Sequence, residues 1–441
     1  MKKRRIILLG AAGRDYYNFL VYYKDNPYYE VVAFTQTQIP EIEKRSFPKE
    51  LAGRLYKKNI PFYPEEKLPE LIKKLNIDEV VLSYSDLSHE EVMHKASIAL
   101  AAGASFRLLG PKDMMLKARK PVIAVCAVRT GAGKSQTARA IGQLLKMHGK
   151  RVAVVRHPMP YGNLIQEEIQ RFATEKDFQT QHCTIEEQEE YQPWISLGFP
   201  VYAGVDYQKI LKSAEREADV ILWDGGNNDT SFFKPDLNIV IADALRPNHE
   251  TTYYPGFVNL LMADVVIINK TKEAQQKDIL RIEQNIRRYN RKAKVLRASS
   301  VITVNNPGSI RNKKALVIGD GPSLTHGNLE HGAGYYIAQR YNVKIIDARK
   351  YAVGSLKAVY KRYPHLRHEL PAMGYSRKQI HELQATINRA VADVVIDGSP
   401  ANLSRILKIN KSIANVSYQL DETTIRNLGG ILKRKGFLRK K

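Results

Sequence analysis

The amino-acid sequence predicts an α/β protein of three parts built on parallel sheets, and three observations carry that expectation. Short, almost purely apolar runs of strand length recur at 6–9, 122–128, 218–223 and 315–318. Stretches with apolar residues at helical spacing separate them, the pattern of strands covered on both faces by crossover helices. Three times a glycine-rich turn directly follows the strand, at 10–13, 129–133 and 319–327.

In the first part, IILL at 6–9, GAAG at 10–13 and a helical pattern at 14–23 follow in that order. A dinucleotide fingerprint would read GxGxxG and close its second strand with an acid for a ribose hydroxyl. Here the glycines are too few and the second strand, 30–34, ends on Phe34, so NAD binding is not expected. Helices at 69–75 and 90–101 flank a strand at 80–83, and Gly110-Pro111 begins the exit. Residues 1–115 are the expected Rossmann-like unit.

The second part is organised around VIAVCAV at 122–128, which runs into RTGAGKS at 129–135, with apolar spacing resuming from Lys134 to Leu145. A strand, a glycine loop and a helix N-terminus in this order make a phosphate-binding loop. Gly131 and Gly133 let backbone N–H groups curl round an anion, Lys134 brings charge to the terminal phosphates, and Ser135 offers a hydroxyl to Mg²⁺. Thr130, Gly131, Ala132, Gly133, Lys134, Ser135 and Gln136 are therefore the expected nucleotide contacts, in a P-loop NTPase core spanning 116–305. A strict Walker A pattern has glycine where Val128 stands. The string instead resembles the deviant KGGxGKS loop of the class that includes dethiobiotin synthetase and the dimeric ATPases, with Arg129 at the signature-lysine position and a catalytic role expected for it.

Later strands of the core end in further candidates. The loop RHPMPYG at 156–162 is too proline-rich for a helix. It is either a solvated loop or the place where Arg156, His157 and Tyr161 meet substrate, since loops after parallel strands open on the nucleotide side. TIEE at 184–187 reads as a capping box. The strand at 218–223 ends in DGGNND, which puts Asp224 where a P-loop enzyme needs a direct or water-mediated Mg²⁺ ligand. Gly225 and Gly226 would permit close approach to a γ-phosphate, and Asp229 would orient substrate or water, although a cap or turn accounts for Asp229 almost as well. The strand at 237–242 leads to DALRPNHE, where Arg246 could clamp a phosphoryl oxygen in the transition state and His249 could touch substrate. NKTK at 269–272 keeps Asn269 and Lys270 as nucleotide contacts. Lys272, however, replaces the aspartate that selects guanine in NKxD loops, so ATP is expected over GTP. A basic amphipathic helix is expected at 272–289.

The third part, 306–441, has a strand at 315–318 followed by GDGPSLTHG at 319–327 and HGAG at 331–334. This density of glycine, hydroxyl and imidazole suggests a second anion-binding loop with Thr325 and His326 on substrate. The alternative is a metal site of His326 and His331, for which no carboxylate or cysteine set completes the ligands. Strands at 344–346 and 394–396, a helix at 377–390 and a solvated basic tail, KRKGFLRKK, complete the expectation.

With 69 Lys+Arg against 45 Asp+Glu the formal charge is +24, which favours an anionic partner. The excess is scattered, at 2–5, 287–294 and 433–441, so a polyanionic small molecule is expected rather than nucleic acid. Cys126 and Cys183 form no disulfide framework or metal knot, which fits the cytoplasm. No apolar run reaches the roughly eighteen residues of a membrane span, and residues 1–13 read as a first strand rather than a signal sequence.

Over nearly its whole length the chain resembles the predicted-GTPase family of the cyclic 2,3-diphosphoglycerate synthetase type. The likeness rests on VVRHPMPYG, QRFAT, CTIEEQEEY, VYAGVDY, WDGGNND, GDGPSLTHG, HGAG and LPAMGY, with departures at Asn163 and Lys272. The resemblance implies a Rossmann-like domain, a P-loop core and a C-terminal portion packed on it. It also implies ATP-driven closure of 2,3-diphosphoglycerate to its cyclic phosphoanhydride, with release of ADP and phosphate. Arg129, Lys134, Arg156, Arg246 and His326 would then supply the cations beside Mg²⁺. A regulatory or metallochaperone GTPase is the alternative, and a homodimer is the expected assembly.

Overall fold

The computed structural model describes residues 2–11, 13–36, 45–157, 159, 162–181, 183–325, 329–366, 368–373, 377–400 and 403–439. Three sheets organise them. The first contains β1 (Arg4–Leu9), β2 (Tyr29–Gln36), β3 (Ser46–Phe47), β4 (Ile60–Pro64), β5 (Glu79–Leu82) and, after the short β6 (Leu87–Ser88), β7 (Ser105–Leu108). Their order is β3-β4-β2-β1-β5-β7, parallel except for β3.

The second sheet is assembled from β8 (Val122–Ala127), β9 (Val152–Arg156), β10 (Gln170–Phe172), β11 (Val201–Ala203), β12 (Val220–Asp224) and β13 (Leu237–Asp243). After the short β14 (Tyr253–Tyr254) it adds β15 (Val265–Asn269) and β16 (Lys294–Arg297). The order is β10-β11-β9-β12-β8-β13-β15-β16, parallel except for β10. β8, β12, β13 and β15 are buried along their whole length, which explains their continuous apolar runs. Because β8 lies between β12 and β13, the strand order reverses there. A crevice opens at its C-terminal end, where the glycine loop stands. β14 pairs antiparallel with β6 and ties this sheet to the first unit.

The third sheet holds β17 (Ser300–Val304), β18 (Lys314–Gly319), β19 (Lys344–Ile345), β20 (Glu369–Pro371), β21 (Val394–Gly398) and β22 (Ser412–Leu420). Its order is β17-β22-β21-β18-β19, with β20 on the C-terminal half of β18. Strand β17 precedes the expected boundary at 306, because it pairs antiparallel with β22 rather than extending the second sheet. The chain returns to the core at the other end. Asp421 N donates to Ser299 O at 3.1 Å and Ser299 N to Asp421 Oδ2 at 2.9 Å, so the incoming and outgoing strands of this sheet lie side by side.

The helix Glu422–Arg434 then packs on the second sheet, and Leu428, Ile431, Leu432, Phe437 and Leu438 join the core around Ile141 and Leu145. The solvated tail expected at 433–441 is thus corrected over its described part, since Phe437 and Leu438 are buried while Lys433 and Lys435 are exposed. The amphipathic helix expected from 272 begins at Gln276, after a turn. Among the described residues no helix is long and apolar enough to cross a membrane.

Phe437 is 6% exposed, so Phe437→Ala should destabilise the chain by about 3–5 kcal/mol. A urea midpoint unchanged from that of the parent protein would return these residues to the solvent.

Candidate active site

The loop between β8 and the helix Lys134–Met147 is shaped from beneath. Three side chains reach three successive carbonyls: Arg246 Nη2 to Thr130 O at 2.6 Å, Lys270 Nζ to Gly131 O at 2.8 Å, and Asn269 Nδ2 to Ala132 O at 2.9 Å. With the carbonyls held down, the N–H groups are left to face the other way, which is what an anion-binding loop requires. Gly131 and Gly133 take φ of 75° and 106°. A Cβ on Gly133 would stand 2.2 Å from Asn269 Nδ2, so space as well as backbone conformation demands glycine there.

Asp243 accepts from Arg246 and Lys270, each ion pair at 2.8 Å. Burial would raise its carboxyl, and the two cations override this and hold it at about 2. Arg246 is therefore a prop for the loop rather than the phosphoryl clamp expected of it. It does not reach the cavity, because Asp243 and Thr130 O claim its guanidinium.

Asp224 ends β12 with no solvent exposure. Lys134 Nζ stands 2.7 Å from Oδ1, Arg156 pairs with Oδ2, and Trp194 Nε1 donates to Oδ2 at 3.1 Å. Burial pushes the carboxyl up, but Arg156 and Lys134 outweigh it and keep it well below the usual range. Ser135 Oγ lies 3.4 Å from Asp224 Oδ1. Adjacent ligands of an octahedral Mg²⁺ at about 2.0–2.1 Å are about 3 Å apart, so this hydroxyl–carboxylate pair fits such an ion. Among the described residues no group of three His, Cys, Asp or Glu could hold a metal, which leaves this two-ligand arrangement.

Arg129 is 3% exposed and is positioned from the first unit. Its Nε bonds Asp86 Oδ1 at 2.7 Å, its Nη1 meets His249 Nδ1 at 2.8 Å, and its guanidinium lies 3.7 Å from the centre of the Tyr253 ring. Burial, then the charges of Arg129 and Arg246, push His249 down to about 4. His249 is thus neutral at pH 7 and orients Arg129. Its expected place on substrate is corrected.

His157 and Asp229 also leave the substrate side. His157 Nδ1 pairs with Asp229 Oδ2 at 2.6 Å, and Arg14 of the first unit approaches Asp229 Oδ1 at 3.5 Å. This buried cluster links two units instead of facing the cavity. Gly225 and Gly226 make room for protein, since a Cβ there would strike the Trp223 ring and the His157 ring, each at 2.6 Å. Thr325 is buried, its hydroxyl donating to Gly321 O at 2.7 Å, so it closes a turn rather than lining the cavity. Tyr161 and His326 lie outside the described residues.

A cavity of about 210 Å³ joins the loop to the third sheet. It brings together Arg129, Thr130, Gly131, Gly133, Lys134, Ser135, Gln136, Arg156, Asn269 and Lys270 from the expected set. The opposite wall comes from the C-terminal ends of β18 and β21 with Asp320, Ser323, His331 and Gly398, and from Tyr418 of β22. Glu189, Glu190 and Glu273 complete the acidic lining. Lys272, at the base-reading position of NKxD, is exposed and its neighbour Glu273 faces the cavity instead. His331 stacks on Tyr335 and stands 3.6 Å from Glu369 Oε1, and the His326 half of the expected metal pair lies outside the described residues.

The chain is 56% identical over 422 residues to the arginine synthetase ArcE of Thermococcus kodakarensis, covering 96% of this chain and 94% of that protein. This chain belongs to the ArcE family. It is accordingly an enzyme of a synthetase family. No family model matches it. Among solved structures it is similar to LpxK from Aquifex aeolicus in complex with ATP, with a TM-score of 0.44, 12% identity, and 83% of this chain and 99% of that one covered. It is also similar to a cobyrinic acid a,c-diamide synthase from Mycobacterium smegmatis with bound ADP and magnesium, with a TM-score of 0.20, 14% identity, and coverage of 52% and 84%.

In this ArcE-family chain Asp86, Tyr253 and Trp194 escaped sequence reasoning because each reaches the site from a distant segment. Asp320 lay inside a quoted string but had no local signal to set it apart. The neutral state of His249 has a consequence for stability. Its folded-state pKa is below the ordinary 6.5, so the unfolded chain takes up a proton first, and stability falls as pH drops from about 6.5 to about 4. Urea unfolding at pH 7 and pH 4.5 should show this loss in the parent protein and a smaller loss in His249→Gln.

Proposed function

We propose that this protein is an ATP-dependent synthetase that makes arginine. The observation that carries the reading is the cavity shared by the phosphate loop and the C-terminal edge of the third sheet, in a chain 56% identical to an arginine synthetase. Forming a guanidinium from a ureido group and ammonia requires the ureido oxygen to become a leaving group, and a phosphoryl group makes it one. The terminal phosphate of ATP would lie on the N–H groups of Gly131 to Ser135, with Arg129 beside it.

Lys134, which rests on Asp224, would turn to the γ-phosphate as charge shifts to the bridging oxygen. Ser135 and Asp224 would hold Mg²⁺, which would supply charge neutralisation to the phosphates. The ureido oxygen attacks phosphorus as the bond to ADP breaks. Ammonia then forms the C–N bond and inorganic phosphate departs.

Closure of 2,3-diphosphoglycerate, the reaction implied by the motif strings, is the second reading. Against it stands Asp320 in the cavity wall, a carboxylate that no cation among the described residues of the lining answers. A substrate phosphate beside it would incur like-charge repulsion, whereas a ureido group brings neutral N–H donors.

The test follows arginine and ADP in a mixture of enzyme, Mg²⁺, ATP, ammonium and the ureido amino acid corresponding to arginine. Equimolar arginine and ADP are expected. ADP release that depends on 2,3-diphosphoglycerate, with no arginine, would move the assignment to the cyclising reaction, and GTP hydrolysis independent of both would make the protein a switch. Lys134→Ala should lose about 3–4 kcal/mol of transition-state stabilisation, roughly two to three orders of magnitude in turnover. Unchanged turnover would remove the loop from the mechanism.

A further inference from the structure

We propose that Asp320 is the catalytic residue that receives the N–H face of the substrate's ureido group and turns its oxygen toward the phosphate loop, an inference that rests on the arginine-forming reading above. Asp320 directly follows β18, at the edge where the third sheet meets the cavity. Ser323 donates to its carboxylate, and the same hydroxyl stands against the phosphate loop, where a Cβ on Gly131 would meet Ser323 Oγ at 2.9 Å. A group held by Asp320 is therefore adjacent to the terminal phosphate.

Charge accounting in the cavity points the same way. Glu190 is taken by Arg156, and Asp224 beneath it by Lys134 and Arg156. Glu273 lies in the field of Lys270, and among the described residues Asp320 has no ion pair. Burial pushes the Asp320 carboxyl up even against the bond from Ser323. A second acceptor is present as well. Gln136, 3% exposed and lining the same cavity, gives its Nε2 to Ser300 at 2.7 Å while its Oε1 meets no donor. Although Arg129, Lys134, Arg139, Arg156 and Lys270 also line the cavity, Asp320 and Gln136 Oε1 are acceptors left over at its wall, and they fit a ligand that brings N–H groups, which a phosphorylated acid does not. A ureido group presents its N–H bonds in a plane, and the guanidinium it becomes presents a fork that matches a carboxylate.

The carboxylate would act at both stages. Accepting the N–H hydrogens pushes electron density onto the ureido oxygen as it forms its bond to the γ-phosphorus and ADP leaves. When ammonia adds to carbon, the C–O bond breaks, the phosphate carries away the oxygen and one ammonia proton, and the positive charge that appears on the guanidinium lies beside Asp320.

The experiment uses the full chain. For Asp320→Asn, kcat/KM for the ureido substrate should fall about 100-fold or more, while the calorimetric Kd for ATP changes less than about threefold and Asp320→Glu restores part of the loss. Arginine binding in the presence of ADP should be lost with it. An Asn variant whose kcat/KM stays within about threefold of the parent's overturns the proposal and leaves the arginine-forming reading standing, as would one that loses ATP binding equally. A parent protein that makes no arginine removes both. Should the Asn variant fail to fold, Ser323→Ala takes its place, with a raised KM for the ureido substrate at constant ATP affinity expected and an unmoved KM contrary to the proposal.

Discussion

The phosphate loop depends on a constraint that is not in the loop. Its carbonyls at Thr130, Gly131 and Ala132 are fastened by Arg246, Lys270 and Asn269, and Asp243 fixes two of these three donors. Asp243 and Asn269 close neighbouring strands β13 and β15 in direct register. The anion site is therefore a property of the sheet edge, and the loop's glycines permit a shape that the props impose. A carboxylate with no exposure would ordinarily be costly, and here its charge is answered on both sides.

A second buried carboxylate, Asp224, repeats that logic one strand beyond β8. It gathers Lys134, Arg156 and Trp194, so the resting loop lysine already has a counter-ion and nucleotide must compete for it. The first unit contributes in the same currency. Asp86 steadies Arg129 and Arg14 steadies Asp229, and each of these two contacts is a charge pair with at least one nearly inaccessible member. The resulting cavity has cations at the loop and the Asp320 carboxylate on the opposite wall.

The fold class was legible because strands covered on both faces write themselves as apolar runs. β8, β12, β13, β15 and β18 all stand where VIAVCAV, ILWD, the runs at 237–242 and 263–268, and ALVI place them. β22 was legible in principle, since Ile413, Ala414, Val416, Tyr418 and Leu420 alternate in part with polar residues, but a nine-residue strand on one side of a sheet is a weaker signal than a continuous run. Within the site, residues 129–136 could be read because one contiguous string builds the loop. Arg246, His249 and Asp229 could not be assigned correctly, because the partners that decide their roles, Thr130 O, Arg129 and Arg14, lie 116, 120 and 215 residues away. Chemistry of residue type was visible along the chain, and direction in space was not.

The paired crossing at Ser299 and Asp421 gives the chain an unusual modularity. Everything between those residues leaves and re-enters through one doorway, and the polypeptide on either side is already joined by hydrogen bonds. The second sheet, from its first strand to the helix that seals it at the C-terminal end, is thus built from chain on both sides of the segment it encloses. In lineage terms, the enclosed portion is the kind of segment that could be traded for another while the flanking chain kept its fold.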